Sequence, residues 1–145
     1  MRFVLDNSVT MRWLFADGSA DDLAYANRVL DFMEREQAEA IVPSLWGLEA
    51  TNVIAKAEVR GIVTEARSME FVGLLKQMAI IPDAMTFESS LSDTLQFARR
   101  HGLSAYDASY LELALRNGTP LATLDEGLKK AMSQSGVDLF AHKVE

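Results

Sequence analysis

Short apolar runs separated by helix-length segments constrain this chain more than any other feature. The runs are Phe3-Val4-Leu5, Ala40-Ile41-Val42, Ala79-Ile80-Ile81, Leu121-Ala122-Thr123 and Val137 to Phe140. The first three contain no polar residue, as strands covered on both faces do. Between the runs lie segments with helical periodicity and recognisable ends. Asp21 to Glu39 places Leu23, Ala26, Val29, Leu30 and Met33 on one face. Ser44 to Gly61 follows Pro43, a residue suited to an early helical position, and ends on a glycine. Thr64 is placed to cap a helix running to Gln77. Thr86 to His101 closes at Gly102, and Ser104 to Asn117 closes at Gly118. Asp125 to Ser135 is the last helix, and a short one starts near Ser8. Strands alternating with helices predict an α/β fold with a mostly parallel sheet of about five strands, flanked by helices on both faces. The 145 residues are expected to form one domain spanning 1–145.

In such a sheet the ligand crevice lies outside the carboxyl ends of the strands. Asp6 directly follows the first run, and Asp125 follows the fourth after Leu124. Each also has a structural role open to it: Asp6 suits a turn or cap, and Asp125 stands where an N-cap belongs. Ser8 is available to cap the first short helix in place of Asp6. Inside the Ser44–Gly61 helix, Glu49, Asn52 and Lys56 fall on one stripe, and Thr51 and Glu58 fall opposite. Apolar flanks separate the stripes: Trp46, Val53 and Ala57 on one side, Leu48, Ala55 and Val59 on the other. Two polar stripes fit either two solvated faces or one solvated face and one polar site. Asp107 sits three residues after Ser104, in capping-box spacing and in reach of the helix dipole.

Two acids at strand ends and two near or within helices point to one shared pocket. Four carboxylates in a crevice repel one another and resist ionisation unless a cation is present. The chain has no cysteine and only two histidines, His101 and His142. Oxygen donors without sulfur or imidazole select Mg²⁺ or Mn²⁺, ions that assist hydrolysis of phosphodiesters.

These residues carry a resemblance to a known family. Val4-Leu5-Asp6-Asn7-Ser8, Pro43 with Leu48-Glu49-Ala50-Thr51-Asn52-Val53, Leu103-Ser104-Ala105-Tyr106-Asp107-Ala108-Ser109-Tyr110-Leu111 and Pro120-Leu121-Ala122-Thr123-Leu124-Asp125 occur in order across nearly the whole chain. The set resembles the PIN-domain family, and within it the VapC-type toxins of toxin–antitoxin pairs. The resemblance implies a PIN-like three-layer fold and a Mg²⁺- or Mn²⁺-dependent endoribonuclease. It carries the acidic quartet onto Asp6, Glu49, Asp107 and Asp125, with Asp6 and Asp107 as principal metal ligands. It places Ser8, Thr123 and Asn52 in support. It also implies an RNA substrate, a homodimer, and a cognate antitoxin whose tail brings an Arg or Lys towards the acids.

The charge balance bears on this expectation. Fourteen basic residues against 21 acidic ones give −7, whereas proteins that bind nucleic acid through phosphates usually carry a basic excess. Acids that serve as metal ligands resolve the conflict, because the bound cation makes the crevice attractive to RNA. Arg12 and the Arg99-Arg100 pair are candidates for RNA contact, although a surface role suits Arg12 and the helix dipole alone accounts for the pair. Trp13, Phe15 and Trp46 suit the core, a dimer surface or stacking on a base. No apolar run approaches the roughly 18 residues of a membrane span, and the first run is too short for a signal-peptide core. A soluble, cytoplasmic protein is expected. Other functions are weighed, among them a phosphorelay receiver, for which Ile81 followed by Pro82-Asp83 is a poor match to a phosphoacceptor after the third strand. A HAD-type phosphatase also has an Asp after its first strand, but expects a second acid where this chain has Ser8. A non-catalytic protein-binding module on the same scaffold would not need the intact quartet.

Overall fold

Strand β1 (Arg2–Leu5) lies inside the sheet because its apolar residues are hydrogen-bonded to neighbours on both sides. Phe3, Val4 and Leu5 are completely buried, as a strand sandwiched between helices requires. The computed structural model describes residues 1–142. The expected domain reaches to residue 145, so its last three residues lie outside the described part. Around β1, four parallel strands run in the order β3 (Ile80–Pro82), β2 (Glu39–Val42), β1, β4 (Leu121–Ala122). The order reverses between β1 and β4: the chain first builds outward through β2 and β3, then returns to the other side of β1. That switch point opens a crevice at the carboxyl ends of β1 and β4.

Helices α1 (Asn7–Phe15), α2 (Ala20–Arg35), α3 (Trp46–Val59) and α4 (Glu65–Gln77) occupy the first two crossovers. After β3 come α5 (Thr86–Ser89), a π-helical turn over Ser90–Thr94, α6 (Leu95–His101) and α7 (Ala105–Asn117). Helix α8 (Glu126–Ser135) follows β4. Several expected ends form by the expected chemistry. The side chains of Thr64, Ser104 and Asp125 accept the backbone N–H groups of Arg67, Asp107 and Leu128. Gly102 and Gly118 terminate α6 and α7 at φ 62°, a conformation that favours glycine.

The structure departs from the sequence expectation in several places, among them the third strand, which runs over Ile80–Pro82 rather than Ala79–Ile81. Helix α2 stops at Arg35 rather than Glu39: Gln37 turns left-handed at φ 54°, and Glu39 joins the sheet, its N–H donating to Met1 O. Helix α3 starts at Trp46 rather than Ser44, because the Ser44 N–H is drawn to the Thr86 hydroxyl (3.0 Å) and Pro43 O closes a turn with the Trp46 N–H. The expected single helix from Thr86 to His101 is interrupted by the π-helical turn, where the Ser90 and Ser92 hydroxyls donate to backbone carbonyls of the preceding turn. Thr123 lies just beyond β4, its hydroxyl turned towards Asp6. The fifth strand reduces to one parallel bridge between Leu121 and Leu139. Phe140 next to it stacks on Phe3 (centroids 3.9 Å apart) and its carbonyl accepts a hydrogen bond from the Tyr25 hydroxyl at 2.8 Å, after which Ala141 turns away at φ 56°. Side-chain packing thus ends the pairing after one rung.

Candidate active site

Asp6 occupies the switch point. It is 6% exposed and stands at the N-cap position of α1, yet its side chain makes no capping bond. Ser8 Oγ and Thr123 Oγ1 both donate to Asp6 Oδ2, each at 2.7 Å. The two hydroxyl oxygens are 3.3 Å apart. They accept in turn from backbone N–H groups of the β4–α8 connection: Leu124 N–H to Ser8 Oγ (3.0 Å) and Asp125 N–H to Thr123 Oγ1 (3.1 Å). Ser8 therefore lies within α1 and does not cap it. One oxygen of Asp6 is strapped to both sides of the switch point, and Oδ1 lies outside the web.

Glu49 reaches the same crevice from α3. The Tyr110 hydroxyl, on α7, donates to Glu49 Oε1 at 2.7 Å. Tyr110 is completely buried. It reads in sequence as core packing. The signal for more is its position three residues after Asp107, one helical turn along the same face. Asp107 sits in the first turn of α7, half-buried, where the dipole favours an anion. Asp125 caps α8 through Oδ2 (2.7 Å to Leu128 N), so its cap role and its place at the crevice coexist.

Asp6, Glu49 and Asp107 are each perturbed by burial and by neighbouring acids. Burial pushes Asp6 upward, and the Asp125 charge adds to it against the lowering effect of the Ser8 and Thr123 hydroxyls. Glu49 is raised by burial and then by Asp6 and Asp107, with the Tyr110 hydroxyl opposing. Asp107 is raised by burial and then by Asp6 and Asp125. Burial and the neighbouring acids raise Tyr110 as well, so it is a firm proton donor to Glu49. No Lys or Arg forms an ion pair with any of the four among the described residues.

As the side chains lie, no three acids stand close enough to hold an ion between them, among the described residues. The donor set nevertheless fits a hard divalent cation. It is all oxygen, its members repel, and Asp6, Glu49 and Asp125 are each fixed through one oxygen.

The other singled-out residues are dispersed. Asn52 is exposed on α3 and lines a groove of about 440 Å³ with Glu49, Val53 and Tyr106. On α3 the face of Trp46, Ala50, Ile54 and Ala57 is buried. The second apolar flank is not, with Leu48 77% and Val59 89% exposed, and Val53 on the first flank is also exposed. Arg12 pairs with Asp17 rather than with an acid of the crevice. Arg99 and Arg100 are exposed in the last turn of α6. Trp13 donates to Ala26 O (2.9 Å) and Trp46 is buried, so both serve the core.

This parallel sheet, with acids at its switch point, is the arrangement of the PIN domain, whose family model matches residues 3–132. The chain belongs to the PIN domain family. It is 30% identical over 101 residues to the ribonuclease VapC3 of Pyrobaculum aerophilum, an alignment covering 64% of this chain and 77% of that one. The crystal structure of PAE2754 from Pyrobaculum aerophilum superimposes with a TM-score of 0.64 at 24% identity, covering 90% of this chain and 87% of the other. That likeness supports the three-layer α/β fold.

Proposed function

We propose that this protein is a divalent-metal-dependent endoribonuclease acting as the toxin of a toxin–antitoxin pair. The observation that carries the proposal is the crevice itself. Asp6, Glu49, Asp107 and Asp125 come from four separate elements, and the described residues supply hydroxyls and backbone N–H groups to them but no cation. The similarity to a ribonuclease of the same family supports RNA as substrate.

Asp6 and Asp107 are the principal ligands in this reading, and Glu49 and Asp125 act directly or through water. Mg²⁺ or Mn²⁺ held there would supply Lewis acidity to polarise the scissile phosphate and acidify an attacking water. Ser8 and Thr123 fix the Asp6 carboxylate, and Tyr110 fixes that of Glu49. Asn52 borders the groove by which substrate approaches Glu49. No nucleophilic side chain is required, because water attacks in line with the leaving oxygen. The cytoplasm is the expected setting, with a homodimer as the working form. A cognate antitoxin would find an anionic pocket suited to a basic side chain. No helix among the described residues is long and apolar enough to cross a membrane.

The test is RNA cleavage by the purified protein with Mn²⁺, with chelator, and as Asp6→Asn. Cleavage that needs the metal and Asp6 supports the proposal. Stoichiometric protein binding without cleavage points instead to a non-catalytic module. Release of phosphate from a small phosphomonoester points to a phosphatase.

A further inference from the structure

Helix α3 joins the acidic crevice to a second groove of opposite charge. Glu49, Val53, Lys56 and Arg60 follow one another at spacings of four, three and four residues, a single stripe along the helix and its C-cap. Val53 lines both grooves. On one side it stands with Glu49, Asn52 and Tyr106; on the other it meets Arg12, Lys56 and Arg60 around a space of about 270 Å³. The stripe spans about 16 Å at helical rise. That is roughly five nucleotides of a stacked strand.

The cationic groove is unusual in a chain of net charge −7. Lys56 and Arg60 are exposed and have no ion pair among the described residues. Arg12 arrives from α1, its Nη1 held by the Asp17 carboxylate and by Asp17 O (3.3 Å). Its Nε is buried and has no hydrogen-bond partner. Helix dipoles favour each cation where it stands, Lys56 and Arg60 at the end of α3 and Arg12 in the last turn of α1, but they do not account for the two helix ends meeting at one groove. Asp17 is the one acid lining the groove, so three cations face one carboxylate.

We propose that Arg12, Lys56 and Arg60 form a phosphate-binding subsite that holds the backbone of single-stranded RNA as it leaves the acidic crevice along α3. The assignment rests on the nuclease reading for its choice of ligand. It explains how an acidic protein grips a polyanion: metal serves the reacting phosphate, and this groove serves its neighbours. Lys56 and Arg60 carry the attraction, while Arg12, fixed by Asp17, adds its charge from the α1 side of the groove.

The test uses fluorescence anisotropy of a short fluorescein-labelled single-stranded RNA, with Ca²⁺ present, across about 50 to 200 mM KCl. The double variant Lys56→Gln/Arg60→Gln should bind about tenfold more weakly at the low-salt end. Its log–log salt slope should be shallower by about 1.4, because each phosphate contact on single-stranded RNA contributes about 0.7. Arg99→Gln/Arg100→Gln makes the same change in net charge on α6 and should leave the slope unchanged. Equal slopes for the wild type and the Lys56/Arg60 variant would overturn the proposal, and so would an equal loss in the Arg99/Arg100 variant. Cleavage is scored separately with Mn²⁺. Specific loss of binding in a protein that does not cleave would retain the subsite and reject the nuclease.

Discussion

Helix α7 meets two groups of carboxylates that differ in what the protein offers them. Near its start, Asp107 faces the crevice with Asp6 and Asp125, and its carboxyl is pushed above the ordinary range by burial and by those charges. Near its end, Arg116 grips Asp83 through two bonds of 3.0 and 2.7 Å and Glu112 through two more of 2.7 and 3.1 Å. Asp83, which also accepts from Thr86 Oγ1 (2.9 Å), is held below the ordinary range, chiefly by that guanidinium. Both groups are partly buried. Among the described residues, one receives a fixed fork of donors and the other receives only hydroxyls and backbone N–H groups. The clamp is complete within the chain and joins α7 to the β3–α5 connection. In the proposed function, the crevice reaches charge balance when a cation arrives from solvent.

Substitutions that exchange the two situations test this contrast, and their effects fall in a definite order. Asp6→Asn should reduce metal-dependent RNA cleavage about 1,000-fold, equivalent to losing roughly 4 kcal/mol of transition-state stabilisation. It should leave the metal-free protein as stable as before or more so, since a buried charge without a cation disappears; thermal melting with chelator checks this. Arg116→Met should do the reverse. Leaving Asp83 and Glu112 without their partner should cost about 3 kcal/mol in urea unfolding, the low end for breaking a buried pair because Arg116 is partly exposed. Metal affinity should not change.

Tyr110→Phe removes one hydroxyl and keeps the packing. Losing the group that orients a metal ligand typically weakens metal binding about 10- to 100-fold, which titration calorimetry with Mn²⁺ measures. The unfolding midpoint should move little, by about 1 kcal/mol. The smallest effect is on pH. Asp6, Glu49 and Asp107 have native pKa values above their ordinary ones of 3.8, 4.5 and 3.8. The native chain therefore binds more protons than the unfolded chain above that range, and stability falls as pH rises through it. Asp83 has the opposite sign: its contribution is present above 3.8 and lost as pH falls through its lowered native value. Metal-free protein should thus lose stability as pH rises above the ordinary carboxylate range. Asp6→Asn should lessen that loss and Mg²⁺ should offset it, as urea midpoints across the range would show.

Much of this architecture is legible in the sequence because local chemistry writes it. Thr64, Ser104 and Asp125 cap the helices they precede, and Gly102 and Gly118 end the helices they follow. Asp6 and Asp125 are placed at strand ends by the apolar runs alone. What is hidden depends on contacts between distant residues. Glu39 looks helical until β1 draws it into the sheet. The strand expected at Val137–Phe140 is cut short by Phe3 and Tyr25. Tyr110 reads as a packing residue, with only its spacing from Asp107 to hint at more, because its partner Glu49 lies 61 positions away on another helix. The Asp83–Arg116 clamp is hidden for the same reason, with 33 positions between its members.

The central claim, that the crevice waits for an external cation, is tested most directly by titrating Mn²⁺ into metal-free protein near neutral pH and following the heat. Saturable binding in the wild type, abolished by Asp6→Asn and retained by Arg116→Met, is the predicted result. The absence of saturable binding in the wild type, or equal binding in Asp6→Asn, would contradict it.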